Sequence, residues 1–157
     1  MSLASWLLSG HLLATVVLVG YYLLLAFVVI PAVSRASGQG AGPLPAGPLL
    51  ADIERRAMPF LLASLAAFLA TGIVLQTADP RYAGLGQVQG AWASLLLVKH
   101  LVVVALLFVG SVLDGLLVRA GREDAPSAPG ARVIWTARAQ AGLGVLVLLI
   151  TAAAQGA

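Results

Sequence analysis

Four ionisable side chains lie inside runs that are otherwise apolar: His11 in residues 6–33, and Lys99, His100 and Asp114 in residues 92–118. A charge at the centre of a bilayer helix costs about 2.5–3.5 kcal/mol on an insertion scale, so intramembrane ionisable groups point to function. The chemistry on offer is specific. Imidazole nitrogens ligate copper or haem iron, an ammonium such as that of Lys99 neutralises an anionic group, and a carboxylate such as that of Asp114 pairs with a cation.

Composition decides the solvent in which these groups sit. The chain has 157 residues, 61% of them hydrophobic and 10% charged, which places it among integral membrane proteins. The net charge of +3 comes from arginines at the ends of apolar runs, where they orient helices, and implies no nucleic-acid partner. There is no cysteine, which excludes thiol catalysis, disulfides and iron–sulfur ligation. Metal chemistry would have to use His, Met, carboxylate or Tyr.

The elements that must position these groups are four apolar spans, about residues 6–33, 57–78, 92–118 and 133–154, in one membrane domain. The first lacks a basic leader and exceeds a signal-peptide core, so it is expected to be a retained helix. At 100° per residue His11, Thr15, Leu18, Tyr22 and Ala26 share one stripe. The Gly- and Pro-rich stretch 34–50 reads as a loop, with helix resuming near Asp52. In the second span Ala63, Ala67 and Thr71, like Ala66 and Ala70, recur every four residues as a face for close helix packing.

Backbone polar groups must be satisfied internally in lipid, so all four spans are expected to be helices. Short connections then give an all-α up-down bundle. Loops one and three carry Arg35, Arg55, Arg56, Arg119, Arg122 and Arg132, against Arg81 alone in loop two. The positive-inside rule therefore predicts both termini on the outer side of the membrane. In that topology His11 and His100 lie roughly 8 and 12 Å below the outer ends of their helices. Spans one and three face one axis from opposite corners.

The bland readings stand beside these. His11 could be an interfacial residue bonded to Ser or water, and Lys99 could snorkel to the outer surface. Asp114 lies near the inner end, where Arg138 reaches a similar level, and a structural Asp114–Arg138 ion pair is expected because it removes most of the cost of burying either charge.

Several short motifs carry a resemblance: His-Leu-Leu-Ala at 11–14, Gly20, Pro31, Thr71-Gly72, and Leu-Leu-Leu-Val-Lys at 95–99. Together they resemble the copper-resistance protein D (CopD) superfamily of bacterial membrane proteins. The resemblance implies a four-helix domain in the bacterial inner membrane, linked to copper uptake or tolerance. A related branch is similar to the membrane protoporphyrinogen oxidase of haem synthesis. It implies b-type haem with a functional His in the first span and Lys in a later one, which match His11 and Lys99 by position.

Three functions follow for comparison. In the first, His11 and His100 offer imidazoles to copper, although two His without Cys or a nearby Met make a sparse site for a soft ion. In the second they are axial ligands of a b-type haem, with Lys99 beside a propionate. In the third the chain is a non-catalytic subunit whose small-residue faces, including Gly142 and Gly144, bind other membrane subunits or a second copy. A hydrolase is poorly supported, because Asp114 and His100 lie at opposite ends of the membrane.

Overall fold

The computed structural model describes residues 2–38, 46–82, 84, 90–122 and 129–155. The chain is all-α: α1 (Leu3–Leu24), a π-helical turn (Leu25–Val29), α2 (Ile30–Gly38), α3 (Ala46–Thr77), α4 (Ala91–Ala120) and α5 (Ala131–Gln155). α1, the π turn and α2 run on as one rod, so four helices are long and apolar enough to cross a membrane. Ser2 caps α1 by accepting the Ser5 backbone N–H.

The π turn has a cause at Pro31. A proline has no N–H to give and its ring presses on the carbonyl four residues back. The preceding turn widens, and Ile30 N–H bonds Leu25 C=O, five residues away. Composition had hidden this, because only one proline marks it.

The loop expected at 34–50 is shorter than its Gly and Pro content implies. Helix continues through Gly38 and restarts at Ala46, while residues 39–45 lie outside the described residues, as do parts of the later connectors. Ser34 and Ser37 donate to the Ile30 and Val33 carbonyls along the helix rather than competing with it. Pro48 falls in the first turn of α3, where its missing N–H would have had no partner.

Sequential helices are neighbours, and α5 closes against α1, which leaves α1 and α4 on one diagonal and α3 and α5 on the other. The helices alternate in direction. His11 at the start of α1 meets Gly72 at the end of α3, and Gly47 at the start of α3 meets Ala120 at the end of α4. The buried core gathers at the second of these ends, from Leu25, Ile30, Leu50, Leu113, Leu117, Ala137 and Ala141. Between apolar helices in lipid, such contacts stabilise by packing fit rather than by removal of water.

The outward faces carry large apolar groups: Leu13 and Val16 on α1, Phe60 and Ile73 on α3, Val104 and Phe108 on α4, Leu149 on α5, all exposed. A water-soluble bundle would expose no such band, and four candidate spans suggest a multi-pass membrane protein in contact with lipid. Ala63, Ala66, Ala67 and Ala70 are exposed too, so the small face of α3 is not used inside the chain. Of that end of α3, Thr71 and Gly72, with Phe68 beside them, approach α1 closely.

In the connector after α3, Arg81 donates to the Asp79 carboxylate and lies 5.0 Å over the Trp92 ring. Those hydrogen bonds hold Asp79 below the usual carboxylate range. One guanidinium thereby fastens the connector to the first turn of α4.

Candidate functional site

His11 is held by α3. Its Nδ1 lies 3.1 Å from the Phe68 carbonyl oxygen and 3.0 Å from Thr71 Oγ1, and its ring stacks on Phe68 with centroids 4.6 Å apart. Gly72 makes the fit possible, since a Cβ there would stand 3.1 Å from His11 Cε1. Thr71 spends its own hydroxyl proton on the Ala67 carbonyl, so Oγ1 offers only lone pairs to the ring.

These partners settle the tautomer. A carbonyl oxygen only accepts, so the proton sits on Nδ1 and the lone pair on Nε2. His100 follows the same rule by a local route: its Nδ1 lies 2.6 Å from the Leu96 carbonyl one turn back in α4. Both imidazoles therefore keep Nε2 as the nitrogen that can bind a metal. Backbone carbonyls on the other nitrogen are the usual means by which proteins orient a ligating imidazole and raise its basicity.

The two histidines do not contact each other through any hydrogen bond or ring stacking. They lie on the α1/α4 diagonal, and neither ring lines the cavity between those helices. Thr15, Leu18 and Tyr22, which follow His11 on its stripe, and Val103 and Leu107, which follow His100, line one apolar cavity on the bundle axis. Phe68, the stacking partner of His11, lines it as well. Lys99 is half-buried at this level, within electrostatic range of the His11 ring.

The expected pair at the other end does not form. Among the described residues the ion pairs join Arg55 and Arg56 to Asp52, and Arg81 to Asp79. Arg138 is exposed, with its guanidinium 5.5 Å over the Trp135 ring three residues back. The reason is helical phase. Val133, Ala137, Gln140 and Ala141 take the buried face of α5 and turn Arg138 outward with Trp135.

Asp114 instead lines one space with Gln140 and another with Glu54, two buried polar groups that sequence reasoning missed. The Tyr21 hydroxyl donates to Glu54, which is 2% exposed, and Tyr21 meets Tyr22 edge to face at 5.2 Å. Gln140 is 1% exposed, and its Oε1 has no hydrogen-bond partner among the described residues. Spacing held the signal for both. Glu54 shares a face with buried Leu50 and Leu61, and Gln140 with buried Ala137, Gly144 and Val147.

Among the described residues no three His, Cys, Asp or Glu side chains converge as a metal-binding group. No family model, curated protein or solved structure matches this chain.

Proposed function

We propose that this chain is a multi-pass membrane protein that binds b-type haem through His11 and His100, in the manner expected for a CopD-like domain of the bacterial inner membrane. One observation carries the reading: both imidazoles have Nδ1 on a backbone carbonyl, which leaves two oriented Nε2 lone pairs on diagonal helices above one apolar cavity. The donor set fits haem, whose iron needs only axial ligands from the protein. When bound, haem supplies one-electron redox chemistry.

The residues do the rest. Phe68, Thr71 and Gly72 fix the His11 ring, and Leu96 fixes His100. Lys99 places a positive charge beside the site, suited to a propionate. The axial cavity is apolar but only about 30 Å³, so a macrocycle face would enter it only if the helices that line it moved apart. The arginine bias of loops one and three supports placing this level near the outer surface, with both termini outside.

Copper held by the same two histidines is the second reading, favoured by the two free Nε2 donors and by the CopD-like motifs. It needs a third donor from outside the set that converges here, since a Cu(I) or Cu(II) site is seldom built from two imidazoles alone. Haem and copper content, determined on one preparation in mild detergent, separate the readings. Near-stoichiometric haem supports the first and copper without haem the second. Neither would leave a subunit whose exposed α3 alanine face seeks a partner helix.

A further inference from the structure

Below the histidine level, Asp114 lines two adjoining spaces. One is a cavity of about 250 Å³ whose polar lining comes from Tyr22, Ser111, Asp114 and Gln140. The other is a vestibule of about 780 Å³ that also reaches Glu54, Asp52, Arg55 and Arg122. Asp114, Met58 and Leu62 belong to both, so the two spaces adjoin along these residues.

The charges in this space do not cancel locally. Arg55 is engaged by Asp52, Arg122 is exposed at the rim, and Arg138 lies on the outer face of α5 over Trp135. Among the described residues neither Asp114 nor Glu54 has an ion-pair partner, and Glu54 is served by the Tyr21 hydroxyl alone. A carboxylate on the wall of an apolar cavity calls for a cation, because isolated burial of its charge is costly. Gln140 adds a second demand. Its buried amide oxygen accepts from no group, and Gly110 keeps space beside that amide, where a Cβ would stand 3.0 Å from Nε2.

The remaining wall, with Leu18, Leu61, Leu65, Leu106 and Met58, is apolar. An inorganic cation gains nothing from such a surface, whereas an apolar body attached to an ammonium does. We propose that this cavity binds an organic monocation bearing N–H groups, a primary alkyl- or arylalkylammonium, with the charge on Asp114, the Gln140 amide group on the same wall and the apolar body among the leucines. Tyr22 offers a hydroxyl beside the same cavity. Neither His11 nor His100 lines this cavity, which adjoins the axial one and shares Leu18, Leu65, Leu106 and Gln140 with it.

Calorimetric titration of the full chain in mild detergent with phenethylammonium chloride tests this, with phenethyl alcohol as the neutral control. The ammonium is expected to bind and the alcohol to bind far more weakly. Asp114→Asn should weaken the ammonium about 10- to 100-fold, the loss of a charge-assisted hydrogen bond. Gly110→Ala, which fills the space beside Gln140 without changing charge, should also weaken it. As a measurement that needs no variant, phenethylammonium should protect Asp114 of the native protein from an apolar carbodiimide, read by mass spectrometry. Equal affinity for alcohol and ammonium, unchanged affinity in Asp114→Asn, or labelling of Asp114 indifferent to the amine would each overturn the proposal.

Discussion

Thr71 Oγ1 lies 3.0 Å from His11 Nδ1, so the last turns of α3 set the ring orientation of a residue near the start of α1. The two are 60 positions apart in the chain. A ligand orientation of this kind depends on the helix pair rather than on either helix alone.

That dependence is measurable as a loss of affinity. Thr71→Val keeps the shape, removes one acceptor and leaves the Phe68 carbonyl as the other. Loss of an outer partner of a ligating histidine typically lowers affinity 10- to 100-fold. We expect roughly the lower end of that range for haem, measured by titrating haem into apoprotein. Affinity equal to wild type would mean that Thr71 does not position the ring.

The Tyr21–Glu54 bond joins α1 to α3 in the lower half of the bundle. Tyr21→Phe leaves a buried carboxyl without its donor, and we expect a destabilisation of about 1–3 kcal/mol. Adding Glu54→Leu removes the orphaned group, so the double variant should recover most of the loss. Thermal unfolding in detergent reads both, and a double variant as weak as the sum of the singles would count against the pairing.

Asp114 and Arg138 should behave as independent residues. With Arg138 on Trp135 and Asp114 on a cavity wall, the effects of Asp114→Leu and Arg138→Ala on unfolding should add within about 0.5 kcal/mol. A coupling well above that would restore the ion pair that their similar depth suggests.

Gly47 and Gly121 let α3 and α4 touch at the core end. A Cβ on Gly47 would collide with the Ala120 carbonyl, and one on Gly121 would stand 2.6 Å from Ala51 Cβ. Neither neighbour is a flexible side-chain end, so Gly47→Ala should cost about 1–3 kcal/mol through overpacking. Gly142→Ala, which meets nothing within 4 Å, is the control and should be near neutral. Similar losses in both would mean that close helix approach at Gly47 is not the cause, since helix propensity favours Ala over Gly at either position.

Much of this architecture could be read from residue order. Apolar run length marks four spans, and of the 100° stripe that starts at His11, Thr15, Leu18 and Tyr22 line the axial cavity. Two kinds of feature were not legible. Helix boundaries around Gly38 and Pro48 depend on local hydrogen bonds, which composition misjudges because Gly and Pro are tolerated in end turns. Partner choice was hidden as well: matching depth put Arg138 near Asp114, but the phase of α5 is fixed by Ala137, Gln140 and Ala141 turning inward. Glu54 belongs to the charged run Asp-Ile-Glu-Arg-Arg at 52–56, and it alone of that run takes the face shared with Leu50 and Leu61.

The central claim is that His11 and His100 present Nε2 to a haem. Its most direct test is the dithionite-reduced minus oxidised absorption spectrum of the purified chain, recorded for wild type, His11→Ala and His100→Ala. A sharp reduced alpha band in wild type, lost or strongly diminished in both variants, is the expected result. A colourless wild type after reconstitution with haem, or a band that survives in both variants, contradicts it.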